Sequence, residues 1–197
     1  GAVAVPAQSP RLQPVGMAWS VGEYAVERTP VRGSATLLDG EGVSTSQFAV
    51  ELDLDDGFRG VLGQGSAARV AGRRVELTGV SLEAVRFGNG WTVAVGPVEA
   101  RALTADARAS FFSDREGEIA LFVSKGEIEI AAAGHGFEPS RLSAGSVGFV
   151  AIEDGQARLL QSRAAVEIAR IELRQIDLLQ RVEHLQPGLA KERARLV

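Results

Sequence analysis

A chain of 197 residues with 45% hydrophobic content carries enough apolar material to pack one large domain or two small ones, so a folded protein is expected. Its net charge of −4, from 25 acidic and 21 basic residues without blocks, shows no basic stripe for nucleic acid or an anionic membrane. Cysteine is absent, which removes disulfides, thiolate nucleophiles and zinc–thiolate sites, and no run approaches the roughly 18 apolar residues of a membrane helix.

Residues 1–16 read as an extended N-terminal arm with prolines at 6, 10 and 14 and no periodicity. Ala2 to Ala7 has small residues spaced as at the end of a secretory signal, which points to export, to the periplasm or the extracellular space. Val3, Val5 and Leu12, with Val15, have the character of side chains on an added edge strand, a donor strand for a second subunit.

Residues 17–156 form the expected β domain. Short strands recur about every ten residues, the spacing of an all-β sandwich, barrel or solenoid. The clearest hairpin runs from Phe48 to Leu62: Phe48, Val50, Leu52 and Leu54 alternate with Ala49, Glu51 and Asp53, and Asp56-Gly57 turns the chain. Further strands are expected at 67–71, 75–77, 80–87, 91–95, 98–103, 107–112 and 147–152, with turns at Gly72, Gly88-Asn89-Gly90, Gly96-Pro97 and Asp154-Gly155. Ile119 to Ala131 reads as a strand-turn-strand hairpin with Gly126 at the turn and a dry face of Ile128 and Ile130. The fold class expected is mainly β, an antiparallel sandwich, jelly roll or solenoid-like stack of hairpins, followed by one long C-terminal α-helix.

That helix is assigned to residues 157–197, where the period changes from 2 to 3.6. Arg163 to Gln186 reads as about six turns, capped by Ser162 and stopped by Pro187-Gly188. Ile168, Ile171, Gln175, Leu178, Val182 and Leu185 fall at alternating spacings of three and four, a seam with one polar interruption that must bury against the domain's own sheet or against another subunit.

Residue chemistry points away from catalysis. Gly63-Gln-Gly65-Ser-Ala-Ala68 outlines a dinucleotide loop, but no helix follows it to hold a phosphate. Asp53, Asp55 and Asp56 form an acidic cluster, but a calcium loop counted from Asp53 needs a glutamate at its twelfth position, where Gln64 stands. His135 and His184 are too few for a three-histidine metal site, and no nucleophile elbow is present. No catalytic residue, metal ligand or cofactor is assigned. Trp19, Trp91, Phe111, Phe112, Phe122 and Phe149 lie in strand patterns and read as core, whereas an outward Trp91 would offer a carbohydrate platform.

The order of short motifs resembles the FecR-like domain. Leu37-Leu38-Asp39-Gly40-Glu41-Gly42-Val43-Ser44-Thr45, Glu51 to Gly57, and Ser66 before a short strand fall in that family's sequence of elements. Val75 to Gly79, Ala107 to Phe111, Val123 to Ile128 and Leu142 to Gly145 continue it, so the likeness spans about residues 33–152. The resemblance implies an extracytoplasmic, non-catalytic β domain of regulators that relay a signal from an outer-membrane transporter to a sigma factor. The leading expectation from the two termini is a structural protein that self-associates into a homo-oligomer or filament. The alternative is a sensory module regulating a sigma factor through other chains, with a membrane-protein partner.

Overall fold

The computed structural model describes residues 12–113 and 118–160, and these are almost entirely strand. In chain order they form β1 (Pro14–Val26), β2 (Thr29–Leu38), β3 (Gly42–Ser44), β4 (Val50–Leu54), β5 (Arg59–Leu62), β6 (Ser66–Ala71), β7 (Arg74–Gly79) and β8 (Ser81–Arg86). There follow β9 (Thr92–Val95), β10 (Val98–Ala102), β11 (Arg108–Ser113), β12 (Ile119–Lys125), β13 (Glu127–Ala132), β14 (Phe137–Ser143), β15 (Val147–Glu153) and β16 (Gln156–Leu160). Burial follows the alternation in the sequence. Val50, Leu52 and Leu54 of β4 are buried between exposed Glu51 and Asp53, and Ile128 and Ile130 of β13 are buried as their spacing predicts.

β1 organises the topology. One of its edges pairs with β2 along most of its length, while the other pairs with β4 at Gly16–Trp19 and with β3 at Ala25–Val26. From β4 a first arm continues through β5, β8, β11, β12, β15 and β16; from β3 a second continues through β6, β7, β9, β10, β13 and β14. The arms belong to one continuous sheet, rolled into a nearly closed, barrel-like wall around a single apolar cluster. After β3 the chain passes back and forth between arms, mostly one hairpin at a time.

This corrects the expected fold class. Separate sandwiched sheets are replaced by one rolled sheet because β1, at 13 residues, is long enough to hydrogen-bond into both arms. The sheet is not wholly antiparallel: β7 and β9 pair in parallel, since β8 between them crosses to the other arm. The expected long C-terminal helix is not seen either: no helix beyond the short 3-10 turn Asp55–Gly57 occurs among the described residues, and Arg163 to Gln186 lies outside them. Ala157–Leu160, assigned to the helical segment, instead pair with Phe149–Ile152 of β15 across the Asp154-Gly155 turn, which satisfies the outer backbone edge of β15.

Ile119 to Ala131 is corrected too. β12 pairs with β11 and β15, whereas β13 pairs with β10 and β14, so these consecutive strands belong to different arms. The turn between them is a corner, held where the Glu127 amide donates to Thr104 Oγ1 at 3.0 Å and the Ala144 amide to the Gly126 carbonyl at 2.9 Å.

Thr45 and Ser66 pin other corners. The Thr45 hydroxyl donates to the Gly63 carbonyl at 2.5 Å and accepts from the Ser66 amide at 3.0 Å. Buried Ser66 in turn accepts through Oγ from the amides of Val80 at 3.2 Å and Ser81 at 2.9 Å. Ser66→Ala therefore leaves two amides at the β7–β8 corner without their acceptor, and is expected to cost about 2 kcal/mol by chemical denaturation, where a surface serine would cost little.

Tyr24, the only tyrosine, is buried inside the β1–β2 hairpin with its hydroxyl 3.1 Å from the Ala18 carbonyl and 3.0 Å from that of Gly33. Burial raises its pKa above the ordinary 10.0, because the phenolate would lose its hydration. The folded state thus favours the neutral phenol, a contribution complete below the unfolded value and lost as pH rises through it toward the folded one. Tyrosinate absorbance should appear later in the folded protein than after denaturation, and Tyr24→Phe should flatten the alkaline fall in stability.

Candidate protein-interaction face

Among the described residues no group of histidine and carboxylate side chains is placed to hold a metal ion. Asp53 instead pairs with Arg59 at 3.2 Å and Asp56 with Arg73 at 2.5 Å, so two carboxylates of the acidic cluster face arginines. His135 is fixed at the β14 side of the wall, its Nδ1 2.9 Å from the Gly155 carbonyl. No helix of the described residues is long and apolar enough to cross a membrane.

Of the residues expected at an interface, Leu12 is described and is exposed. Val3, Val5, Ile168, Ile171, Leu178, Val182 and Leu185 lie outside the described residues. The aromatic residues divide differently from the expectation that all are core. Trp91 is 3% exposed, donates its indole N–H to the Asp55 carbonyl at 2.8 Å and packs on Phe58 with ring centroids 5.2 Å apart. It offers no platform. Trp19 is 43% exposed and stands on the outer face of β1 between Met17 at 48% and Val21 at 67%.

Alternation alone produces this strip. Ala18, Ser20, Gly22 and Tyr24 take the inner face of β1, which leaves Met17, Trp19, Val21 and Glu23 outside. The core holds Gly22 in place, because a Cβ there would lie 2.1 Å from the Phe48 ring. A register shift between Ser20 and Glu23 also bulges β1 at Val21 and Gly22 without changing the face that either takes. Two shallow depressions flank the strip. One of about 430 Å³ is lined by Val21, Gly22, Phe48 and the Arg32–Glu23 pair; the other, of about 260 Å³, by Glu51, Asp53, Arg59, Val61 and Ala84. Three large apolar side chains in a row, bordered by charges, make the kind of surface that a protein partner covers.

Sequence reasoning missed this strip because Trp19 begins an apparent core pattern; the signal available was the pair of exposed-phase residues Met17 and Val21, two positions to either side. The pattern could not say which phase faced the core.

No family model matches the sequence, and no curated protein does either. Two crystal structures, at 1.65 and 2.50 Å resolution, of a candidate anti-sigma factor from Parabacteroides distasonis ATCC 8503 align with it at 17% identity. Each alignment has a TM-score of 0.48 and covers 61% of this chain and 59% of that one. The chain is thus similar to those structures over less than two thirds of their length.

Proposed function

We propose that this chain is a non-catalytic, extracytoplasmic binding module of the FecR-like type, which receives a protein partner on the outer face of β1 in a signal relay that ends on a sigma factor. The observation that carries this reading is the exposed row Met17, Trp19 and Val21 on a strand whose other face is core. Trp and Met are enriched at the centres of protein interfaces, and truncating such anchors commonly costs more than about 2 kcal/mol of binding. The FecR-like motif residues support it in another way: Thr45 and Ser66 spend their hydroxyls on corners of the scaffold, which leaves the outer face to carry recognition.

The test is a sigma-factor-dependent transcriptional reporter in the source organism. Trp19→Glu with Val21→Glu should abolish the signal-dependent change in output while leaving Tm within about 2 °C, since both side chains stand on the outer face of β1, outside the core. Output indifferent to deletion of the whole gene would sink the reading.

A second reading, self-association into an oligomer or filament, rests on the same strip and on the outer edge of β2, which among the described residues pairs only with β1. Sedimentation velocity decides between them. On the leading reading the protein sediments as one species of 20.7 kDa at every concentration tested, and growth in mass that Trp19→Glu reverses would favour self-association.

A further inference from the structure

Cross-strand register brings together four cations that are far apart in sequence. Arg59 of β5 lies opposite Arg86 of β8, Arg86 opposite Arg108 of β11, and Arg108 opposite Lys125 of β12. Residues directly opposite share a face, and all four side chains are exposed. At roughly 4.8 Å between strands the row is about 15 Å long. Its outer members are partly neutralised: Arg59 pairs with Asp53, and Lys125 with Asp106 at 3.7 Å. Among the described residues, Arg86 and Arg108 have no carboxylate partner within ion-pair distance.

The other arm treats its charges differently. There Arg101 faces Glu129, which also faces Arg141, and Arg69 faces Glu76. Arg74 bonds both Glu76 and Glu99, and these carboxylates raise its pKa. Like charges directly opposite one another destabilise a sheet, so the unbroken row on the first arm opposes folding where alternation was attainable.

We infer that this row is a docking line for an acidic polypeptide segment of a partner protein. The inference rests on the reading of the chain as a protein-binding module and names the chemistry of its partner. Charge complementarity selects the occupant. Three acidic side chains at alternate positions of an extended segment span about 13 Å, close to the length of the row. Beyond Asp53 the row continues into Met17, beside Trp19, so an apolar residue at one end of the segment would meet the apolar strip. Asp53 fixes the direction, since it repels the acidic end. An anionic lipid surface fits less well, because the next row across the same strands holds Glu51 opposite Trp19 and Glu83 opposite Val61, and a uniformly negative plane would press on both carboxylates. A segment carries its charge in a line and avoids them.

The experiment uses the full chain and three probes at low ionic strength: an octaglutamate peptide, vesicles of phosphatidylglycerol, and inorganic phosphate. Octaglutamate should bind and weaken steeply with added salt. Arg86→Glu and Arg108→Glu should each reduce that binding about tenfold or more, while Arg101→Glu on the other arm leaves it unchanged. The same two variants should melt about 1–3 °C higher than the parent, since each removes a like-charge contact. Octaglutamate binding that is equal in parent and Arg86→Glu overturns the inference. So does binding of phosphatidylglycerol vesicles or phosphate without binding of octaglutamate. If Arg86→Glu loses octaglutamate while the reporter ignores deletion of the gene, the docking line stands and the signalling role falls; a reporter that needs Trp19 with octaglutamate binding insensitive to Arg86 gives the reverse.

Discussion

Trp91→Ala is expected to lower the free energy of unfolding by about 3–5 kcal/mol, the range for truncating a large buried aromatic. Trp91 lies within the second arm, just before β9, yet its ring packs on Phe58 and its indole N–H bonds the Asp55 carbonyl, both at the β4–β5 turn of the first arm. The truncation therefore opens a cavity and removes the indole hydrogen bond to the Asp55 carbonyl at one junction of the arms. Trp91→Phe separates these effects, since it keeps most of the packing and should lose only about 1–2 kcal/mol with the hydrogen bond. Fluorescence provides an independent check, because the chain has only two tryptophans. Trp91→Phe leaves exposed Trp19 as the sole emitter and should shift emission to the red, whereas Trp19→Phe should shift it to the blue and leave the denaturation midpoint nearly unchanged. A blue-emitting Trp91→Phe protein would mean that Trp19 is covered.

Gly88→Ala should be nearly as damaging, at about 3 kcal/mol, for a backbone reason. Gly88 has φ +62°, and a Cβ there would lie 2.3 Å from the Asp56 carbonyl oxygen and 2.6 Å from the Gly57 carbonyl carbon. Those atoms belong to the β4–β5 turn, which the Asn89 amide also grips through the Asp56 carbonyl at 2.9 Å. Neither backbone can retreat without breaking that bond. Gly72→Ala at the β6–β7 turn is the control: its φ is +56°, but a Cβ there meets nothing within 4 Å, so only the conformational penalty of about 1 kcal/mol is expected. Urea midpoints with an unchanged m-value would place both effects in the native state.

Much of the scaffold was legible from local pattern. The hairpin Phe48–Leu62, its Asp56-Gly57 turn, the Asp154-Gly155 turn and the buried faces of β4 and β13 follow from period-two alternation interrupted by turn residues. Those signals act over a few residues and survive into the fold. Thr45 and Ser66, singled out in the sequence by their place before short strands, sit at corners where their hydroxyls bond backbone groups of neighbouring strands.

Pairing was less legible. A short turn with glycine suits a hairpin and a corner equally well, and only the competing partners β10, β11, β14 and β15 decide that β12 and β13 separate at Gly126. The same blindness hid the interaction face. Alternation in β1 permits either phase to face inward, and the choice that exposes Trp19 is made by Phe48 against Gly22 and by Tyr24 closing the hairpin.

What the amino-acid sequence alone determined is the identity of the chain as a mainly β protein built of short strands, because strand period and turn chemistry are local properties. What only the tertiary structure decided is which distant residues become neighbours. A net charge of −4 without blocks shows no basic stripe along the chain, yet register aligns Arg59, Arg86, Arg108 and Lys125 across four strands. Cross-strand contact joins positions that lie tens of residues apart, and no linear window contains it.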